Sequence, residues 1–226
     1  MEIIPNVYQI TLRLVNIILI AGEELTLVDT GFRGSAPQII DFIRRLGRSP
    51  EEITLIILTH NHLDHAGGLA ELKRLTRAKV ALHKADVATD ESQLPYPRVV
   101  TKLLHIPPFS LVRPLVYVKP DEVDIPLEGG EVFSPLGGLE VIPTPGHTPG
   151  SISLFAPKKR LLIVGDALNK RYRHIRLPPK MVSTDLPQAL DSVERLGQLE
   201  FDILCFGHGR PVTSNASAKV KQLISR

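Results

Sequence analysis

The run Ile53-Thr54-Leu55-Ile56-Ile57-Leu58 restricts the fold more than any other stretch of this chain. Six β-branched or leucine residues in a row suit a strand buried on both faces, as in a sheet with helices on each side. The run leads straight into Thr59-His60-Asn61-His62-Leu63-Asp64-His65, with three histidines and one aspartate within six positions. Alternate residues of an extended segment point the same way, so His60 and His62 share a face. Asp64 and His65 follow where the chain turns into a helical pattern. Imidazole and carboxylate are the ligands that suit zinc and similar divalent ions. The stretch therefore reads as half of a two-metal site.

The rest of the chain alternates strands and helices. Val7 to Ile10, Leu14 to Ile20 and Leu25 to Val28 read as strands, and Ala36 to Leu46 as a helix stopped by Gly47. Ala66 to Leu75 reads as one helix, with Leu69, Leu72 and Leu75 on its apolar face, and Lys79 to Leu82 as a strand. Ala85 to Glu91 and Arg98 to His105 are short helical candidates inside an irregular insertion, residues 84–120, that packs over the sheet edges or forms a lid. Strands return at Glu131 to Phe133, Leu139 to Ile142, Ser151 to Phe155 and Leu161 to Val164. A helix with Thr184 or Asp185 as N-cap runs to Leu196, its apolar face Leu186, Leu190, Val193 and Leu196. Ile203 to Phe206 is a last strand and Ala216 to Ile224 a last helix. The two halves share this order, which predicts two facing sheets with helices outside.

Polar residues of the same ligand chemistry recur where predicted strands end. They are Asp29, His147 in Thr144-Pro145-Gly146-His147-Thr148-Pro149-Gly150, Asp166 after Leu161 to Gly165, and His208 in Phe206-Gly207-His208-Gly209. Loops at strand ends are where sites are commonly built on a rigid scaffold.

In order and spacing, His60-x-His62-x-Asp64-His65, Pro-Gly-His147, Gly-Asp166 and Gly-His208-Gly resemble the ligand series of the metallo-β-lactamase superfamily, in its glyoxalase II-like or lactonase-like branch. The resemblance runs from Val7 to about Ala218 and is weakest over residues 84–120. It implies an α/β fold (α+β in some schemes), a four-layer αβ/βα sandwich in a single domain over residues 1–226, with the site at one edge between the sheets. It implies two divalent ions per chain, with zinc expected and iron or manganese as alternatives. His60, His62 and His147 would hold the first ion, Asp64, His65 and His208 the second, and Asp166 both. A hydroxide shared by the two ions would then attack a carbonyl or phosphoryl centre. Asp64 would orient that nucleophile or carry a proton to the leaving group.

Three further residues are assigned around this series. Asp29 is expected to accept the second N–H of a ligand histidine. Tyr172 and His174, in Lys170-Arg171-Tyr172-Arg173-His174-Ile175-Arg176, are expected to donate hydrogen bonds to an anionic or carbonyl substrate, with a solvated loop as the plain alternative. Cys205 is expected to be buried in the last strand, and His83 to be structural. Asp166 stands where cysteine-ligand β-lactamases carry their thiolate, which argues against a dedicated β-lactamase.

The expected function is a dinuclear metallo-hydrolase acting on ester, thioester or lactone carbonyls, with an open and promiscuous site. Phosphodiester hydrolysis, weak β-lactamase activity and a mononuclear iron persulfide dioxygenase are the alternatives. A non-catalytic binding protein is disfavoured because all seven ligand positions are filled. The partner is a small molecule; nucleic acid is not expected, since a net charge of +3 is spread along the chain. Leu103 to Phe109 reads as core or a homodimer contact, with a pocket wall for an acyl group as the other reading. No secretion signal is read at the start, and the run Leu14 to Ala21 falls short of the ~20 residues of a membrane helix, so no membrane role and a cytoplasmic setting are expected. Nineteen prolines, two methionines, one cysteine and no tryptophan fit a thermophilic source.

Overall fold

A computed structural model describes residues 1–87, 96–104, 106–107 and 118–225. The first half builds a seven-stranded sheet in sequence order. Strands β1 (Glu2–Ile4), β2 (Val7–Leu12), β3 (Val15–Ala21) and β4 (Leu25–Val28) pair antiparallel. Helix α1 (Ala36–Arg45) then crosses over to β5 (Ile53–Ile57), which pairs parallel with β4. Helices α2 (Leu63–Ala66) and α3 (Leu69–Leu75) lead to β6 (Lys79–His83), parallel to β5. Residues 84–120, with helix α4 (Arg98–Leu104), form the connection to β7 (Ile125–Leu127), which adds parallel to β6.

The second half builds a five-stranded sheet from β8 (Val132–Phe133), β9 (Leu139–Pro143), β10 (Ile152–Ala156), β11 (Leu161–Ile163) and, after β12 (Asn169–Arg171), β13 (His174–Arg176) and helix α5 (Leu186–Leu196), β14 (Ile203–Cys205). Its order is β14-β11-β10-β9-β8, and only β11 and β14 are parallel. Strands β12 and β13 form a separate hairpin, and helix α6 (Ala216–Ile224) closes the chain.

Three apolar clusters follow from the period-two pattern of the strands. Ile18, Ile20, Val28 and Ile57 face Val141, Leu154, Ile163 and Cys205 across the gap between the sheets. Their alternate neighbours Ile17, Leu19, Leu27 and Ile56 pack under Ile39 and Ile43 of α1 and Leu69 and Leu72 of α3. On the other side Leu162 and Leu204 pack under Val193 and Leu196 of α5 and Val220 of α6. The layers are therefore helix, sheet, sheet, helix. Cys205 is fully buried, and burial pushes its thiol up to about 12.

Several expectations change. The single helix Ala66 to Leu75 is two helices broken at Gly67-Gly68. A side chain at Gly68 would run into the Thr30 carbonyl, and one at Gly67 would meet Leu63 O and Arg33 N, so the α2–α3 corner is pressed against backbone. Leu75 and Leu190 are largely exposed rather than on buried faces. Lys170 to Arg176 is a β-hairpin, not a loop, with Tyr172 at its turn in a left-handed conformation (φ 56°). Of the short helix expected over Ala85 to Glu91, the described part is a 3-10 turn at Lys84–Asp86; residues 88–91 lie outside the described residues. In α4, Val99 is 72% and Leu103 46% exposed, which removes them from the core. His105 and Pro108-Phe109 lie outside the described residues.

Candidate metal centre

Every residue of the ligand series lies where a strand of the two central sheets gives way to a loop or short helix. Leu58 N–H still bonds the Ala81 carbonyl of β6, and from Thr59 the chain leaves the sheet. His62 then sits at the N-cap of α2, whose first turn carries Asp64 and His65. His147 lies between β9 and β10, Asp166 follows β11 and Val164, and His208 follows β14. Because β11 and β14 are parallel neighbours, Asp166 and His208 leave the sheet at the same end.

These loops converge. The rings of His60, His62 and His147 stand edge to face with centroids 4.6–4.7 Å apart. His60, His62 and His147 form one group whose donor atoms lie within 4.8 Å of one another, and Asp64, His65 and His208 form another. Asp166 joins them: its Oδ1 is 3.6 Å from His65 Nε2, and its Oδ2 is 3.6 Å from His147 Nε2 and 3.2 Å from His208 Nε2. Asp166 also groups with His60 and His65. Asp64 Oδ2 lies 3.3 Å from His208 Nε2.

The far side of most rings is fixed. His65 Nδ1–H is donated to Asp29 at 2.8 Å and His208 Nδ1–H to the Leu14 carbonyl at 2.7 Å. His147 Nδ1 bonds Ser183 Oγ at 3.3 Å, and His60 Nδ1 bonds Thr59 Oγ1 at 3.1 Å. With the proton held on Nδ1, Nε2 presents its lone pair to the cluster. His62 is the other way round: its Nδ1 faces the cluster, 3.0 Å from His147 Nε2.

The electrostatics divide the same groups. Burial, followed by the neighbouring His65 and His62, pushes His60 well below its ordinary value, and burial lowers His147 too. Burial alone would also lower His65, but Asp29 and Asp166 outweigh it and hold it at about 9. His208 rises against its burial to about 11, through its bonds to Asp166 and Asp64. Burial would raise both carboxyls; His208 and His65 instead hold Asp64 at about 2 and Asp166 well below the usual range.

The donor set suits divalent ions. His60 Nε2, His65 Nε2 and Asp166 Oδ1 are buried with no hydrogen-bond partner among the described residues. A buried polar atom without a partner is costly, and divalent ions held among these three would satisfy them. Nitrogen and carboxylate oxygen are the ligand atoms zinc takes.

Two residues of the site were not expected from sequence. The Tyr96 ring stacks on His62 at 4.4 Å and 16°, and its hydroxyl accepts the Leu63 N–H at 3.1 Å. Asp86 is buried behind the histidine loops and accepts hydrogen bonds from two of them. Neither stands in a motif; both lie in the segment with the weakest pattern. Tyr172 and His174 are placed on the exposed β12–β13 hairpin, with Tyr172 85% exposed. The hairpin hangs from the site through Lys170 N–H, which donates to the His208 carbonyl at 3.0 Å. His83 caps the turn after β6, its Nδ1 accepting from Ala85 N–H.

The sandwich and the converging histidines and aspartates define a metallo-hydrolase scaffold, and a family model described as the metallo-beta-lactamase superfamily matches residues 10–208. The chain belongs to that superfamily. It is 27% identical to the probable metallo-hydrolase YflN of Bacillus subtilis, over all of this chain and 92% of that protein. It is 25% identical to an N-acyl homoserine lactonase of a Bacillus species, over 76% of this chain and 62% of that one. Among solved structures, the metallo-beta-lactamase family protein TTHA1429 of Thermus thermophilus superposes with a TM-score of 0.75 at 26% identity, over 99% of this chain and 80% of that one. Among the described residues, no helix is long and apolar enough to cross a membrane.

Proposed function

We propose that this protein is a dinuclear metal-dependent hydrolase that cleaves ester, thioester or lactone bonds. The observation that carries the reading is the set of partnerless buried atoms, His60 Nε2, His65 Nε2 and Asp166 Oδ1, at the centre of the ligand cluster. His60, His62 and His147 would hold one ion and Asp64, His65 and His208 the other, with Asp166 between them. Such ions supply Lewis acidity and make water acidic enough to react near neutral pH.

The chain's own residues do the rest. Asp29, Thr59, Ser183 and the Leu14 carbonyl fix the ring orientations, so the ligand Nε2 atoms face the cluster before an ion arrives. Asp64 is partly exposed beside His208, which places it to orient the attacking water or carry a proton to the leaving group. The hairpin carrying Tyr172 and His174 would meet the substrate's carbonyl or anionic group from the solvent side. The lactonase among the relatives supports a carbonyl substrate.

Metal content per chain, measured together with hydrolysis of a lactone, a thioester, a phosphodiester and a β-lactam, tests the reading. The expected result is two divalent ions and carbonyl-ester hydrolysis that EDTA abolishes and zinc restores. Equal behaviour of stripped and replete protein on every substrate would overturn it. One iron per chain with oxygen uptake would establish persulfide dioxygenation instead.

A further inference from the structure

We propose that Asp86 is a positioning residue that latches the two loops of the three-histidine ion site together. The inference rests on the two-ion reading above. His60 and His62 come from the loop after β5, and His147 comes from the loop after β9. Asp86 stands between these loops, 1% exposed, at the end of the 3-10 turn after β6. Its Oδ2 accepts the Asn61 N–H at 2.9 Å and the Thr148 hydroxyl at 2.7 Å. Its Oδ1 accepts the Gly150 N–H at 2.6 Å. Asn61 lies between His60 and His62, Thr148 follows His147 and Gly150 comes three residues after His147, so every donor is within three residues of a proposed ligand.

The latch is closely fitted. A Cβ at Gly150 would lie 2.6 Å from the Asp86 nitrogen and 2.8 Å from its Cβ and Cγ, so the loop approaches Asp86 only as glycine. The Asn61 amide returns the contact, donating to the Asp86 carbonyl at 2.9 Å and accepting the Val118 N–H at 2.9 Å. A buried carboxylate is tolerated where several donors face it, and bonds to an ionised acceptor are the strong kind. His65 and His208 are steadied by Asp29 and the Leu14 carbonyl instead, so Asp86 acts on one ion site and not the other.

The test uses the full chain, stripped of metal and titrated with Co2+ against a competing chelator. Visible absorption reads each site, and circular dichroism reads the melting point of the metal-free protein. Asp86→Asn keeps the volume but turns one acceptor into a donor facing a donor; Thr148→Val removes one bond to Asp86 and leaves its other two, and also removes the Thr148 bond to Ser151 Oγ. The expected result for Asp86→Asn is one class of cobalt weakened by roughly 10–100-fold and its spectrum altered, with the other class within about twofold of wild type. Thr148→Val shifts the same class in the same direction by less, and it carries the test if Asp86→Asn does not fold. Unchanged cobalt binding in the variants overturns the latch. Equal weakening of both classes alongside a lowered metal-free melting point also overturns it, since that is a general structural role. A wild type that takes one ion refutes the two-ion reading while the latch still predicts weakening of that ion.

Discussion

The carboxylate of Asp29 accepts the Nδ1–H of His65 at 2.8 Å, deep in the site where neither side chain reaches solvent. The same carboxylate accepts the Thr59 hydroxyl at 2.8 Å, whose oxygen in turn bonds His60 Nδ1 at 3.1 Å. One acid therefore fixes two ligand rings, one directly and one through a hydroxyl. The bond between Asp29 and a histidine of the series is legible in the sequence; the relay through Thr59 is not.

Asp29→Asn is expected to weaken divalent-ion binding by roughly 10–100-fold while the fold is kept, because the ring tautomers are no longer set. Asp29→Ala also strands the Thr59 N–H, bonded at 2.7 Å, and costs about 1–3 kcal/mol of stability besides. Chelator competition and urea unfolding read the two effects. Asp29→Asn with wild-type affinity would show that the relay has no bearing on the ions.

The metal-free protein is expected to lose stability as pH rises above 6.5. His65 and His208 have folded values of about 9 and about 11, above the ordinary 6.5. A raised value contributes fully below 6.5, and that contribution drains away as pH climbs through the folded value. His60 and His147 are lowered, so they oppose this slope only near 6.5, where their unfolded forms still carry protons, and add none once pH is about a unit higher. Ion binding needs His65 and His208 deprotonated, so the stabilisation by added zinc grows over the same range. Melting curves from pH 6.5 to about 9, with EDTA and with zinc, check both trends; a flat metal-free curve contradicts the assignment.

Gly207→Ala is expected to damage the centre without replacing a proposed ligand. The added methyl would press on Asp166 Oδ1 and lie 2.6 Å from His65 Cε1. Overpacking of this kind costs about 1–3 kcal/mol. The stability loss should come with fewer ions retained per chain after dialysis. Full metal content in a folded Gly207→Ala variant would mean the loop yields more easily than its neighbours allow.

Replacing Tyr172 by Phe together with His174 by Ala is expected to raise KM by about tenfold on the preferred substrate, in line with the loss of about 1.5 kcal/mol from a hydrogen bond to a charged group. An exposed hairpin acts on binding more than on the chemical step, so kcat should change less. Steady-state kinetics on the four-substrate panel decides this. Unchanged parameters on every active substrate would leave the hairpin as a solvated surface element.

Tyr96→Phe should keep the stack on His62 and lose the bond from Leu63 N–H, whereas Tyr96→Ala loses both. Metal affinity is expected to follow that order, with Tyr96→Ala the weaker binder. Equal affinity in the two variants would show that the stack does not steady the ring.

Much of this molecule was readable before any coordinates, because its strongest signals are local. Ile53 to Ile57 is a strand because a run of that kind has no polar face to turn outward. Asp185 begins α5 because its carboxylate accepts the Gln188 N–H, a contact three residues long. The order of His60, His62, Asp64, His65, His147, Asp166 and His208 is likewise written in short motifs, and it identified the family. The break at Gly67-Gly68 was missed because its cause is the backbone of Thr30 and Arg33, distant in sequence. Tyr96 was missed because aromatic residues in irregular segments carry no periodicity.

What the sequence determined, then, was the layer order, the inventory of candidate ligands and the strand ends that present them. Only the tertiary structure decided which groups hold those ligands in place. Asp29 meets His65 across 36 positions, Asp86 meets Gly150 across 64, and His208 meets Leu14 across 194. Such contacts depend on how two sheets and their loops stack, and a one-dimensional pattern holds no record of them. Hydrogen bonds act over about 3 Å, so a residue's partner is known only once the chain has folded it there.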